Sequence, residues 1–169
     1  MKNETGFTLV ELIVVLAIIA IGLTIGAPSF SSMMVKSRLD AGARDLAVTL
    51  SHARSEAITR NTQVTVIPTG GLWSNDWTTI TDDNGNGVLD GSDEVIAVRE
   101  AKAGVSFGNS DGVYGAWAGY LPNGFGVGSN GDGGGQLTVC PSPNSAPFSR
   151  QVTVTSTGRA VISSGGACA

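Results

Sequence analysis

Glu11 is the only charged residue in the run GFTLVELIVVLAIIAIG, residues 6–22. An ionisable group within lipid costs about 3 kcal/mol or more on insertion-based scales, so it calls for a partner or a task. Residues 1–6, MKNETG, are polar and end in a glycine. A cut between Gly6 and Phe7 would keep the apolar run and free an α-amino group at Phe7, four residues from Glu11. That amine can neutralise the carboxylate in its own helix. It can also meet the carboxylate of a neighbouring helix, and the ion pair then sets the register of an assembly. A secretory cut after the run fits less well, because the upstream position near Ala27 is occupied by Ile25, where a small residue is needed.

Other residues with chemical potential are few. The stretch DDNGNGVLDGSD, residues 82–93, places Asp82, Asn84, Asn86, Asp90 and Asp93 at positions 1, 3, 5, 9 and 12 of a calcium loop, with Gly87 at the turn position. Position 12 is an Asp instead of the longer bidentate Glu, and no helix pattern flanks the loop, so the stretch reads as a hairpin connection with acids facing water and no metal. His52 is the only histidine, and it stands in SHARSEA without a nucleophile or metal-ligand spacing around it. The glycines of 124–135 lack the following helix and lysine of a phosphate cradle. The reading is therefore of a protein that is not an enzyme and uses no cofactor. Cys140 and Cys168 are the two cysteines. If that part reaches an oxidising compartment they pair, adding about 3 to 4 kcal/mol in the chain-entropy model; otherwise they are two buried thiols.

The elements that position these residues follow from two textures. Phe7 to Ala27 carries no charge but that of Glu11 and, as a helix, spans about 30 Å, the thickness of a bilayer's hydrocarbon. Pro28 follows, as a kink or a restart. Val35, Leu39, Ala43, Leu46, Leu50, Ala53 and Ala57 then recur at steps of four and three, an apolar stripe on a helix reaching about Asn61. Lys36/Asp40, Asp40/Arg44 and Glu56/Arg60 stand at the spacing that lets opposite charges meet on its other side. Beyond it, QVTVI (63–67), EVIAV (94–98), QLTVC (136–140), QVTVT (151–155) and RAVI (159–162) alternate as strands of an antiparallel system. Twelve glycines between Gly104 and Gly135, interleaved with Tyr114, Trp117, Tyr120 and Phe125, predict mixed loop and short strands folded onto the sheet. After residue 61, four basic residues face nine acids, a formal charge of −5 that is a poor field for nucleic acid. The lysines and arginines flanking the apolar run do not favour a cytoplasmic N-terminus.

GFTLVELIVVLAIIAIG resembles the class III signal of type IV pilins and pseudopilins. The resemblance implies cleavage after Gly6 and N-methylation of Phe7 by a prepilin peptidase/methyltransferase, with Glu11 as the assembly carboxylate. It also implies a single-pass protein of the bacterial inner membrane with its head in the periplasm, later assembled into a pilus or pseudopilus. ARSEAITRN, DDNGNGVLD, LTVCP and VTVTSTGRA are together similar to the FimT/FimU/GspH group of minor pilins, a likeness over nearly the whole chain and thinnest in the Gly-rich middle. The implied fold is α+β: a leader (1–6), a transmembrane and assembly helix (7–27), its amphipathic continuation (28–61) and a β-rich antiparallel sheet or sandwich head (62–169). The implied function is a minor pilin, a structural subunit for assembling or priming a type IV pilus, whose partners are other pilins packed through the N-terminal helix. STGR followed by a terminal cysteine points to the pilus members, with a type II secretion pseudopilin as the alternative. Some members bind DNA through Gly-Arg-x-Arg; here Gly158 and Arg159 match but Val161 replaces the second arginine. One cation on an acidic head cannot supply a multi-phosphate contact, so Arg159 reads as structural or as a contact to a neighbouring subunit.

Overall fold

The computed structural model describes residues 7–109, 112–131, 133–143, 147–165 and 168, without the side chains of 23–29 and 109. Gly6 and the 1–6 leader lie outside the described residues. Contacts divide the chain into two units, one up to Val35 and one from Lys36 onward. A single helix, α1 (Leu9–Arg60), contributes to both and is helical through Pro28.

In the first unit every described side chain from Phe7 to Gly22 is exposed. This is the pattern of a helix apolar on all sides, which has no face to distinguish core from solvent. Among the described residues no helix is long and apolar enough to cross a membrane. The expected span, Phe7–Ala27, runs past Gly22 into the side chains that are not described.

The second unit is the head. The stripe read from the helix period is its core: Leu39, Ala43, Leu46, Leu50, Ala53 and Ala57 are all fully buried, and Val35, at the end of the first unit, is half-buried. Two antiparallel sheets accompany it. One has five strands in the order β3-β2-β1-β5-β6: β1 (Val64–Pro68), β2 (Trp77–Thr81), β3 (Val95–Arg99), β5 (Ala118–Tyr120) and β6 (Gly126–Gly128). The other runs β4-β7-β8-β9: β4 (Val105–Asn109), β7 (Gly135–Pro141), β8 (Arg150–Val154) and β9 (Ala160–Ser164). Gly42 shows how closely α1 approaches the second sheet, since a Cβ there would lie 3.3 Å from Val105 and 3.6 Å from Val139. The fold is the expected α+β arrangement of an N-terminal helix packed on antiparallel sheets.

All five expected strands form, as β1, β3, β7, β8 and β9, within two residues of their expected ends. The Gly-rich segment folds as short strands, β4, β5 and β6, around one aromatic side chain. Tyr114 is 1% exposed, and a Cβ on Gly128 or Gly135 would come within 2.8 or 2.7 Å of its ring. Those glycines are therefore the walls of an aromatic seat. Overpacking such a seat costs about 1–3 kcal/mol.

The helix charges pair differently from the local pattern. Glu56 and Arg60 meet at 2.7 Å as their spacing predicts, and Arg60 also reaches Glu94 at 2.8 Å. Asp40 instead takes Arg150 of β8 at 2.5 Å, while Lys36 lies over the Phe148 ring at 4.3 Å from its centre. Asp40 turns away from Lys36 and Arg44 because the guanidinium of β8 offers a partner fixed by a strand, against two flexible neighbours on the helix surface. Cys140 of β7 is bonded to Cys168, with Cα atoms 5.8 Å apart at a sequence separation of 28. Closing a loop of that length stabilises the head by about 3 to 4 kcal/mol in the chain-entropy model.

Candidate assembly segment and head surface

The first turn of α1 carries the residues singled out for assembly. Thr8 precedes Leu9, and its Oγ1 accepts the backbone N–H of Glu11 at 3.3 Å while its carbonyl accepts Leu12 N–H at 3.2 Å. Thr8 is thus the cap, and Glu11 sits at the third helical position, the spacing of a capping box. A carboxylate there also faces the positive end of the helix dipole, which favours it by about 0.3–1 kcal/mol. The sequence reading missed Thr8, although its signal, a threonine three residues before a glutamate ahead of an apolar run, was present. Phe7 is 80% exposed and stands just before the cap. Gly6, before it, lies outside the described residues.

In the head, the VTVTSTGRA stretch is the β8–β9 hairpin. Gly158 N–H closes its turn on Thr155 O at 2.8 Å, and Thr155 N–H bonds Arg159 O at 2.9 Å. Gly158 has φ +83°, and a Cβ there would lie 2.0 Å from Gly124 O. The two turns, 121–124 and 155–158, are therefore interlocked. Arg54 of α1 clamps them, donating Nε to Gly124 O and Nη2 to Thr157 O, both at 2.9 Å. Arg54 is a structural residue that its position in ARSEAITRN did not reveal, because its acceptors are backbone carbonyls far along the chain. Arg159 is exposed and lines a small cavity of about 210 Å³ with Ser51, Arg54, Ser55 and Ile58. Val161, where the second arginine of Gly-Arg-x-Arg would stand, is an exposed residue of β9 and brings no charge beside Arg159.

His52 is exposed on α1 and lies 3.7 Å from Glu56, a surface contact one turn on. It lines a groove of about 520 Å³ with Arg44, Val48 and Ile162. Ser51 and Ser55 line the same groove, and Ser51 Oγ donates to the Ala47 carbonyl at 2.7 Å.

The calcium-like stretch links β2 to β3 as a loop whose ligand-type oxygens are bonded inward. Asp82 is fully buried; its Oδ2 accepts Thr65 Oγ1 at 2.7 Å and Gly87 N–H at 3.0 Å, and its Oδ1 accepts Asn86 N–H at 3.0 Å. Asp90 accepts from Ser92 N–H and Oγ and from the Asn84 and Asn86 amides. These donors, the Ser92 backbone amide foremost, hold its carboxyl down at a pKa of about 2. No group of three or more metal-ligating side chains occurs among the described residues. The loop is longer than the two-residue turn its Asn-Gly pairs would allow, and the buried carboxylate is what organises it.

A helix that is capped at Thr8, apolar all round and then amphipathic, joined to two antiparallel sheets, defines the pilin-like class of proteins. A family model described as type II transport protein GspH matches residues 42–158, and a prokaryotic N-terminal methylation motif matches residues 1–27. The chain belongs to the GspH family of type IV pilin-like minor pilins and pseudopilins. Among solved structures it is similar to the type IV minor pilin FimU of Pseudomonas aeruginosa, with a TM-score of 0.60 at 15% identity over 79% of this chain and 97% of that one. It is also similar to the minor pseudopilin EpsH from the type 2 secretion system of Vibrio cholerae, with a TM-score of 0.55 at 15% identity over 75% and 97% of the two chains. At that identity these likenesses establish the fold. No curated protein gives a significant match.

Proposed function

We propose that the protein is a minor pilin, a structural subunit that helps to assemble or prime a type IV pilus. In this reading it enters the inner membrane through the 7–27 segment, is cut after Gly6, is N-methylated at Phe7 and places its head in the periplasm. The single observation that carries the reading is the joining of a methylation motif over residues 1–27 to a GspH head over 42–158 in one chain. Glu11 is then the acid that meets the freed amine of Phe7, in the same subunit or its neighbour, while the cap at Thr8 holds that turn helical. The apolar helix supplies the fibre core, with other pilins as its partners. The 28–61 segment and the 62–169 head serve as mount and display.

A second reading, a pseudopilin of a type II secretion system, is favoured by the description of the matching family and by the likeness to EpsH. Both readings share the same membrane chemistry. Glu11→Ala tests that chemistry: the head keeps its fold, judged by an unchanged Cys140–Cys168 bond and melting profile, and recovery of the protein in sheared fibres falls. Recovery at the wild-type level would contradict the role given to Glu11. Deleting the gene and assaying twitching against protein secretion separates the two readings.

A further inference from the structure

The sequence holds four Asn-Gly pairs: Asn84-Gly85, Asn86-Gly87, Asn123-Gly124 and Asn130-Gly131. Such a pair carries chemistry of its own. The deprotonated glycine amide nitrogen attacks Cγ of the asparagine side chain, the bond from Cγ to its nitrogen breaks, and ammonia departs after taking a proton from water. The resulting succinimide adds one water and opens to aspartate or isoaspartate. Glycine makes this fast because no Cβ hinders the approach of its nitrogen. The reaction needs a glycine N–H free of other bonds and an asparagine side chain free to swing onto it.

The fold denies both. Gly85 N–H is bonded to Asp82 O at 3.2 Å, Gly124 N–H to Leu121 O at 2.8 Å and Gly131 N–H to Gly128 O at 2.9 Å. Gly87 N–H is bonded to the Asp82 carboxylate at 3.0 Å. All four asparagine side chains are held as well, Asn130 through its amide, which donates to Gly112 O. The Oδ1 atoms of Asn84, Asn86 and Asn123 accept the backbone N–H two residues on, at 3.1, 2.7 and 3.0 Å. In the 82–93 loop the leaving nitrogens of Asn84 and Asn86 are also tied to Asp90 Oδ2, at 2.8 and 3.2 Å.

We propose that the 82–93 loop is a latent site of isoaspartate formation, at Asn86 and then Asn84, held closed by the buried carboxylate of Asp82. Asp82 is the one side chain whose removal frees a glycine amide, since the other three amides are bonded to backbone carbonyls. Its charge acts in the same direction, because negative Asp82, Asp83 and Asp90 oppose formation of the amide anion that must attack. Gly87 is buried against Trp117, so the ring must lift before Asn86 can close on it. Opening of the loop and conversion of Asn86 are thus one event. Conversion adds a charge beside three existing acids and, as isoaspartate, lengthens the backbone by one methylene, so the loop does not close again in its former shape.

The test is ageing of the full chain in detergent micelles at mildly alkaline pH, followed by peptide mapping that resolves deamidated and isoaspartyl forms. In the native protein Asn86 converts at least about tenfold more slowly than in the same chain unfolded in guanidinium, the factor set by one hydrogen bond to a charged group. Asp82→Ala raises conversion of Asn86 about tenfold and leaves Asn123, in the 121–124 turn, at its native rate. Asn123 is the internal gauge of a folded head. If Asp82→Ala accelerates Asn123 equally, Thr65→Val, which removes one donor to the carboxylate, is decisive: conversion of Asn86 above Asn123 supports the gate, and equal rates overturn it. Native conversion of Asn86 as fast as in guanidinium overturns it also.

Discussion

Replacing Gly158 by alanine is expected to destabilise the head far more than an alanine at a surface turn should. Gly158 sits at φ +83°, where an L side chain costs about 1–2 kcal/mol. The new Cβ would lie 2.0 Å from Gly124 O, 3.0 Å from Arg54 Nε and 3.1 Å from the Tyr120 ring. The carbonyl cannot swing aside, because its turn is closed by Gly124 N–H on Leu121 O at 2.8 Å and Leu121 N–H on Phe125 O at 2.9 Å. Relief requires the two turns to part, an overpacking cost of about 1–3 kcal/mol. The sum is about 2 to 5 kcal/mol before any loss at the Arg54 clamp. For a head of this size each kcal/mol moves the melting temperature by about 4 °C, so a fall of about 8 to 20 °C is expected in thermal unfolding followed by circular dichroism. Gly91→Ala is the control: no atom lies within 4 Å of its Cβ and its φ is not left-handed, so it should stay within about 0.5 kcal/mol of wild type. A Gly158→Ala head that melts with the Gly91→Ala control would refute the interlock, and with it the structural reading of the Gly158–Arg159 pair.

Leu50→Ala, at the fully buried centre of the helix stripe, should cost about 2–5 kcal/mol in urea unfolding, and a cost under 1 kcal/mol would show that the stripe is not packed as described. The Asp90 carboxyl is lowered to about 2 in the folded loop, so the stability it contributes is complete above its ordinary pKa of 3.8 and is lost as pH falls through about 2. Asp90→Asn should therefore flatten the acid limb of head stability between those two values, and an unchanged limb would remove Asp90 from the loop's support.

Much of the fold was legible because two periods are hard to mistake. Steps of three and four from Val35 to Ala57 gave the helix face, and alternation gave the cores of β1, β3, β7, β8 and β9. β2 was missed because WTTIT carries three threonines, whose burial depends on the neighbours that β1 and β3 supply rather than on hydropathy. Of its five residues only Thr78 is not buried. In the Gly-rich segment short strands were expected and form, but their bounds could not be read, since a glycine that makes room for Tyr114 looks the same in sequence as one that loosens a loop. Asp40 illustrates the limit of local charge rules, as its partner Arg150 is 110 residues away. At the candidate site, Glu11 stood out by its isolation in an apolar run, but its cap at Thr8 required reading position as well as polarity. The loop at 82–93 looked like a ligand set because Asp and Asn serve equally to bind a cation and to bond backbone amides; in the fold Asp82 is buried and bonds the amides of Asn86 and Gly87.

The central claim is that this chain is processed to a membrane-retained helix beginning at Phe7, with Glu11 within reach of the new terminus. Mass spectrometry of the N-terminal peptide of the protein extracted from membranes tests it most directly. The expected first residue is Phe7, carrying one added methyl group on its amine. A mature chain that still begins at Met1, or that begins beyond Ala27, would contradict it.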